Sequence, residues 1–162
     1  MADNPAELLD RASLNERARA VAWALREALP AFEDGDFYEV YIDSVVGMEH
    51  AIDRRLPRRV VAAIEASRGA PPSAVIERLF TEISEPVVAL QDDDWELPED
   101  AALTLYAAYN LLLMCRGTGE NERARTALNQ ATAAALRLGF GGSDPAAVAA
   151  FFRRWRAATG LG

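Results

Sequence analysis

The chain has 162 residues, of which 51% are hydrophobic and 26% charged, a balance that excludes a disordered chain and suits one domain with a hydrophobic core. All 17 basic residues are arginine, and the 25 acids bring the formal net charge to -8. Nucleic acids and anionic membranes both require a basic face, so we expect neither as a partner.

The charge is divided unevenly along the chain. Residues 1–100 hold 22 acids and 10 arginines, a net of -12, whereas residues 101–162 hold 3 acids and 7 arginines, a net of +4. The two parts sum to the total of -8. An acidic part of this size is compatible with a basic protein partner.

The expected compartment is the cytoplasm. The opening residues have neither the basic region nor the apolar run of a signal peptide. No apolar run approaches the roughly 20 residues of a membrane-spanning helix. A single cysteine, Cys115, excludes an internal disulfide framework and is typical of a reducing compartment.

The first helices are predicted from their N-terminal caps. Asn4–Pro5 has the form of an N-cap followed by a proline in the first turn, and Ser13–Glu16 is a capping box. Apolar residues then recur at helical spacing until Pro30, which is expected to end the helix. The acidic residues 33–36 predict a turn, with Asp36 as the N-cap of the next helix.

Residues 37–56 open with β-forming side chains, but strict alternation of apolar and polar residues is missing. Five apolar residues instead fall on one helical stripe: Phe37, Tyr41, Val45, Met48 and Ile52. This stripe predicts a helix. Pro57 then breaks the chain, and a short helix over 58–67 is expected to end near Gly69.

The middle of the chain predicts two long helices. The apolar face of residues 71–90 contains Pro86, where we expect a kink or a break. A polar connector, residues 91–100, leads into a helix over 101–116 that is apolar nearly all round. A helix of that kind is typical of the centre of a bundle.

Two glycine-rich turns separate the last helices. The first, residues 117–119, precedes a helix over 121–138 with Gly139 as its C′ residue. The second turn precedes a helix over 146–158. Caps and breakers thus predict an all-α, single-domain bundle of about seven helices with short connections across residues 1–162.

Side chains that carry catalysis are scarce. His50 is the one histidine, and although Glu39 and Asp43 share its predicted helical face, a lone histidine beside carboxylates is more typical of a structural residue than of a metal site. Cys115 lies in an apolar run, which is unfavourable for a reactive thiol. The glycine clusters follow no strand, as phosphate-binding loops require. We therefore predict no catalytic centre, no metal and no cofactor.

An acidic stretch is the most distinctive local feature. Eight acids and no basic residue lie between Glu82 and Asp100, around Trp95. Such runs are usually solvated connectors, and the tryptophan can be a core anchor. Alternatively, an aromatic residue among carboxylates is a hot spot for a basic partner. The candidate partner-binding residues are Asp92, Asp93, Asp94, Trp95, Glu96, Glu99 and Asp100.

Four arginines flank Pro57, namely Arg54, Arg55, Arg58 and Arg59. A second acidic stretch, residues 33–36 followed by Glu39 and Asp43, lies shortly before them. We expect these arginines to pair with the acids inside the molecule, because the overall charge disfavours phosphate binding.

Three segments carry a family resemblance: Leu105–Tyr109, Glu122–Leu128 and Phe151–Arg156. The first two are paired Ala-rich helices, and the third joins aromatic residues to arginines in a terminal helix. Together they resemble the small all-helical immunity proteins encoded beside bacterial polymorphic toxins. Trp95 and the helix after it are similar to another family of small helical bacterial proteins. The immunity class implies a protein that binds a toxin's active face and has no catalytic residues.

Three hypotheses follow. The first is a non-catalytic binding protein, specifically an immunity protein whose acidic surface covers a basic toxin domain. The second is a regulatory or scaffold protein that homodimerises through Phe151, Phe152 and Trp155. The third is an enzyme or small-ligand binder with a pocket inside the bundle near Tyr106 and Tyr109.

Overall fold

Seven α-helices and two short β-strands make up the described part of the chain, residues 4–117 and 120–162 of a computed structural model. In chain order they are α1 (Pro5–Arg11), α2 (Leu14–Glu33), β1 (Val40–Ile42), β2 (Glu49–Ala51), α3 (Leu56–Ser67), α4 (Ser73–Gln91), α5 (Glu99–Cys115), α6 (Glu120–Ala135) and α7 (Pro145–Thr159). The predicted all-α bundle is therefore confirmed. Residues 1–3 and residues 118–119 of the predicted first glycine turn lie outside the described residues.

The centre of the bundle is formed by α2 and α5. α5 packs against α2, α4 and α6, and α2 packs in addition against α3 and α7. Nearly the whole length of α5 is buried, with Leu105, Leu111 and Leu112 fully enclosed. The prediction of a central helix from its all-round apolar character is confirmed.

The N-terminal caps have their predicted geometry. Asn4 Oδ1 accepts a hydrogen bond from the Ala6 amide at 3.0 Å. At the start of α2, Ser13 Oγ accepts from the Glu16 amide at 3.2 Å, while the Glu16 carboxylate accepts from the Ser13 amide at 2.8 Å. The bonds from Ser13 also lower the pKa of Glu16. This reciprocal pair is a complete capping box.

A buried arginine joins α1 to α2. Nε of Arg17 donates to the Leu9 carbonyl at 2.9 Å, and Nη2 donates to the Ala12 carbonyl at 3.0 Å. Nη1 reaches the Glu120 carboxylate at 3.4 Å. These donors add hydrogen bonds to carbonyls at the C-terminal end of α1, where a helix leaves its last carbonyls short of partners.

The helices are continuous through two prolines: α2 does not end at Pro30 as expected, and α4 has no break at Pro86. α2 continues past Pro30 to Glu33, and α4 runs through Pro86 to Gln91. Each proline removes one N–H donor, yet residues beyond it are buried, as Phe32 and Val87 are. Burial of these side chains outweighs the local cost, so tertiary packing overrides helix propensity here.

The C-terminus of α6 also differs from the prediction. Arg137, with φ at 57°, occupies the left-handed C′ position expected of Gly139. The amide of Leu138 donates to the Ala133 carbonyl at 2.9 Å, and that of Arg137 donates to the Ala134 carbonyl at 3.1 Å. This is the bonding pattern of a Schellman motif. The helix therefore ends earlier than the glycine suggested.

The predicted helix over residues 37–56 is wrong, and so is Asp36 as its N-cap. The segment forms an antiparallel hairpin in which Tyr41 faces His50 and Ile42 faces Glu49. The Asp43 amide donates to the Met48 carbonyl at 2.9 Å and closes the loop. Two features favour this structure over a helix: β-forming residues in β1, and a glycine, Gly47, at φ +68° in the loop.

Candidate partner-binding surface

Exposed apolar side chains are concentrated on the hairpin. Across residues 4–117 and 120–162, eight large hydrophobic side chains are exposed, and two of these, Val88 and Phe140, lie elsewhere. The other six, which we call the hairpin surface, are Tyr38, Val40, Ile42, Val45, Val46 and Met48. Tyr38 and Val45 are each 87% exposed. Clustered exposure of this kind marks interaction sites, whereas single exposed hydrophobic residues are ordinary.

The pleat of β1 determines which side chains face outward. Tyr41 points inward and is buried, so its neighbours Val40 and Ile42 lie on the opposite face and are exposed. In the loop, Asp43 Oδ1 accepts hydrogen bonds from the amides of Val45 at 2.8 Å and Val46 at 3.2 Å. This Asx-type turn holds the two valine side chains out in solvent.

Trp95 fastens the hairpin to the helical body. Its indole Nε1 donates to the Tyr38 carbonyl at 2.9 Å. The ring meets Phe37 edge-on and stacks on Tyr41, with centroid distances of 5.7 Å in both cases. Only 5% of Trp95 is exposed. Trp95 is therefore a core anchor beneath the hairpin, which was the structural alternative to a binding hot spot.

The neighbouring acid holds the loop end of the hairpin. Asp94 Oδ2 accepts from both the amide and the hydroxyl of Ser44 at 3.1 Å. The bonds made by Asp94 and Trp95 span from one end of β1 to the other, since Tyr38 precedes the strand and Ser44 follows it. The connector between α4 and α5 thus orients the hairpin surface.

Arg54 holds the segment that leads into the hairpin. Nη1 donates to the carbonyls of Glu33 at 3.2 Å and Gly35 at 2.7 Å, and Nη2 donates to that of Phe37 at 3.0 Å. Its guanidinium also lies 4.0 Å from the centroid of the Phe37 ring and forms an ion pair with Glu39. The expected pairing with the second acidic stretch is confirmed for Arg54 and for Arg58, which pairs with Glu33. Arg59 pairs with other acids, Asp53 and Glu82, and the side chain of Arg55 forms no ion pair within the described residues.

An open groove of about 780 Å³, which we call the hairpin groove, lies between the hairpin and α4. The hairpin contributes Tyr41, Asp43, Val45 and Val46. From α4 come Phe80, Thr81, Ser84, Glu85, Val88 and Ala89. The connector adds Asp92 and Asp94. Its walls are thus mainly apolar, and four carboxylates are its only formally charged lining groups among the described residues.

Tyr41, which lines this groove, stacks on the neighbouring His50. The ring of His50 lies on that of Tyr41 with centroids 5.2 Å apart, and Nδ1 of His50 contacts Oε1 of Glu85 at 2.8 Å. The Tyr41 hydroxyl is buried and, within the described residues, has no hydrogen-bond partner. Burial raises the pKa of Tyr41 to about 12, with further contributions from Glu85, Asp43 and Asp94.

The seven predicted site residues do not form one patch. Asp92 and Asp94 line the hairpin groove, and Trp95 lies beneath the hairpin. Glu96 lines a separate groove of about 510 Å³ beside Tyr38. Asp93 is exposed and has a φ of 59°.

The remaining two of the seven have a structural contact. Glu99 accepts from the Phe140 amide at 3.2 Å, and Asp100 accepts from the Gly139 amide at 2.9 Å. Both residues start α5, where a carboxylate is also favoured by the helix dipole. They tie this end of α5 to the loop between α6 and α7.

The side chains considered for chemistry have other surroundings than the helical interpretation predicted. Glu39 pairs with Arg54, Asp43 bonds to the loop amides, and His50 contacts Glu85. The described residues contain no group of three or more His, Cys, Asp or Glu side chains that would hold a metal ion. Cys115 is a buried free thiol, and burial raises its pKa to about 12. Its expected place in the core is confirmed.

The surfaces named in the two alternative hypotheses are used within the molecule. Phe151 and Trp155 are fully buried, and Trp155 Nε1 donates to the Ala20 carbonyl at 2.9 Å. Two of the three residues named for a homodimer are therefore in the core, whereas the third, Phe152, is partly buried. Tyr106 and Tyr109 are packed against the core, and Tyr109 stacks on Phe80 with centroids 5.7 Å apart.

The chain matches no protein-family model, and it has no match among the curated proteins or the solved structures. None of the helices in the described ranges has the length and apolar character needed to cross a membrane. Assignment of a role therefore depends on the physical properties of the hairpin surface and the hairpin groove.

The helical stripe of residues 37–56 gives no indication of the hairpin surface, because a helix would bury these apolar side chains on one face. A signal was present: Val40–Ile42 is a β-forming run, and Asp43 and Gly47 are residues that favour turns. Interpreted as a hairpin, the same segment would have predicted exposed apolar residues on one face.

Proposed function

We propose that this chain is a non-catalytic protein-binding domain that docks onto its partner through the hairpin surface and the hairpin groove. The observation that carries this proposal is the clustering of six of the eight exposed large hydrophobic side chains of the described residues in one short hairpin. Removing a valine, isoleucine or methionine side chain from water is favourable by roughly 1.5–3 kcal/mol. A partner that covers several of them gains a substantial part of its binding free energy there.

Charge supports a basic partner. The hairpin groove carries Asp43, Glu85, Asp92 and Asp94 beside its apolar walls. Complementary charge accelerates encounter and suppresses wrong partners, while desolvated apolar groups supply most of the affinity. A partner with an apolar patch bordered by basic residues fits both properties.

A bacterial toxin domain is the partner class we propose. The resemblance of three helical segments to the immunity proteins of polymorphic toxins suggests this class, and a toxin with a basic active face has the required chemistry. Bound over such a face, the hairpin surface and its carboxylates would exclude the toxin's substrate. Inhibition then requires occlusion alone, with no reaction carried out by this chain.

The test uses the protein encoded by the gene next to that of this chain. We expect it to arrest bacterial growth when expressed alone and to be tolerated when this chain is co-expressed. The double variant Val45→Ser/Val46→Ser should lose that protection and weaken binding in isothermal titration calorimetry. Its matched control is Ala66→Ser/Ala74→Ser, which changes two exposed positions away from the hairpin.

Two outcomes would count against the proposal in different ways. A neighbouring protein whose toxicity this chain does not relieve overturns the toxin as partner. Binding that is unchanged in Val45→Ser/Val46→Ser overturns the hairpin surface as the docking site. If the chain self-associates and this variant does not, the hairpin surface is instead the interface of a homodimer.

A further inference from the structure

Three of the four carboxylates of the hairpin groove are held by contacts within the chain while keeping a free acceptor oxygen. Asp43 uses Oδ1 for the loop amides, Asp94 uses Oδ2 for Ser44, and Glu85 uses Oε1 for His50. In the described structure the second oxygen of each carboxylate accepts no hydrogen bond. Three negatively charged acceptors are thus oriented before any partner arrives, which reduces the entropic cost of binding.

Tyr41 adds an independent sign of a missing partner. Its side chain lines the groove, the residue is 5% exposed, and its hydroxyl makes no hydrogen bond to the described residues. Buried hydroxyl groups are nearly always hydrogen-bonded in folded proteins. The hydroxyl is neutral at ordinary pH, as a tyrosine with the unperturbed pKa of 10.0 already is, and it can accept a hydrogen bond from a cation.

The groove also has room for an aliphatic stem. Val45 and Val46 border it on the hairpin side, and Val88 and Ala89 border it on α4. Val88 is half exposed, so its apolar surface is open to a ligand. Long basic side chains characteristically bury their methylene groups along such walls while the charged end meets polar groups.

We infer that the hairpin groove binds an arginine side chain of the protein partner. The guanidinium lies among Asp43, Glu85 and Asp94 and donates to the Tyr41 hydroxyl, while its stem packs on the valines. Arginine fits better than lysine because its planar fork offers several donors in fixed directions, matching several acceptors at once. This inference rests on the proposed protein-binding function and adds to it the side chain that the groove recognises.

The test uses a capped peptide, acetyl-Ala-Leu-Arg-Leu-Ala-amide, titrated into the ¹³C-methyl-labelled protein. Its control peptide carries citrulline, which has nearly the shape of arginine but no charge. We expect saturable shifts of the Val45, Val46 and Val88 methyl signals with the arginine peptide. The citrulline peptide should bind at least roughly tenfold more weakly, because charge-assisted hydrogen bonds are lost.

Two variants report on the groove itself. Tyr41→Phe removes only the unpartnered hydroxyl, and Glu85→Gln removes one charge. Both should weaken binding of the arginine peptide several-fold. The methyl spectrum should show that the fold is intact. The matched control, Asp34→Asn/Glu122→Gln, removes exposed carboxylates outside the groove and should leave the affinity unchanged.

Several results would overturn the inference. These are equal binding of the arginine and citrulline peptides, absence of saturable binding at millimolar peptide, and equal weakening by the control variant. Spermidine is a further arm: if it binds more tightly than the peptide, the groove is a site for small amines. The proposed function is tested by a separate experiment. Binding of the partner protein to Val45→Ser/Val46→Ser is measured without the peptide, so its outcome does not depend on the arginine inference.

Discussion

The indole of Trp95 donates a 2.9 Å hydrogen bond to the carbonyl of Tyr38, a residue 57 positions earlier in the chain. Together with the bonds from Ser44 to Asp94, this contact attaches the hairpin to the connector before α5. The Tyr38 side chain points away from it and is 87% exposed. The bond therefore orients a surface whose side chains contribute little to the core.

Trp95→Phe should destabilise the protein by about 1–3 kcal/mol, because the variant loses this hydrogen bond and part of the buried ring. Urea unfolding measures the change, and hydrogen exchange should show the largest loss of protection in β1 and β2. Tyr38→Phe is the matched control: only the backbone of Tyr38 is bonded, so its unfolding free energy should stay within about 0.5 kcal/mol of the parent. Equal effects in the two variants would contradict the assigned contact.

Arg54→Lys should cost about 1.5–3 kcal/mol, because lysine keeps the charge but cannot reach several carbonyls at once. Thermal and urea unfolding measure the loss. The adjacent Arg55 is exposed, and within the described ranges its side chain makes no hydrogen bond. Arg55→Lys should accordingly change the unfolding free energy by less than about 0.5 kcal/mol. A similar loss of unfolding free energy in both variants would show that the carbonyl contacts of Arg54 do not stabilise the protein.

The exposed loop valines should be replaceable without loss of stability. Val45→Ser and Val46→Ser are each expected to change the unfolding free energy by less than about 0.5 kcal/mol, since both side chains already contact solvent. Val60→Ser, at a fully buried position of α3, should cost about 2 kcal/mol or more. Marked destabilisation by the loop variants would mean that these valines are packed in solution.

The thiol of Cys115 should be unreactive in the folded protein. Burial, with a smaller contribution from Glu120, raises the pKa of Cys115 to about 12, so little thiolate exists at pH 8. The reagent 5,5′-dithiobis(2-nitrobenzoate) should react slowly with the native protein and with one thiol per chain in urea. Rapid stoichiometric reaction in native buffer would contradict the buried position.

Stability should fall at alkaline pH partly through Tyr41. The pKa of a tyrosine is 10.0 without perturbation and about 12 for Tyr41 in the folded protein. Between these values the folded state binds more protons than the unfolded state, so the stabilising contribution present below pH 10 is lost as the pH rises towards 12. Urea unfolding across this range should show a smaller loss for Tyr41→Phe than for the parent. Identical pH profiles would place the hydroxyl in solvent.

Local sequence signals were sufficient for most of the helices. Capping residues such as Asn4 and Ser13 act within one turn, and the apolar character of α5 depends only on its own residues. The number of helices and the central position of α5 follow from such short-range features. For this reason the all-α bundle could be predicted without knowledge of packing.

The hairpin and the site depended on contacts distant in sequence. A helical stripe through Phe37 and Tyr41 was as plausible locally as a strand, and the pairing with Trp95 decides between them only after the chain has folded. The acids of the connector were visible as charges. Their positions depend on other parts of the fold. Asp94 lines a groove because the hairpin lies beside it, and Asp100 bonds to the loop between α6 and α7.

The hairpin surface also affects how this protein can change over evolutionary time. Its outward side chains form the proposed interaction surface, while the turn geometry is provided by Asp43 and Gly47 and the attachment by Trp95. Substitutions at the outward positions therefore leave the helical scaffold intact. If the hairpin surface is the docking site proposed above, a lineage carrying this fold could acquire a new binding specificity by altering a few codons of one hairpin, without first acquiring excess stability to tolerate the change.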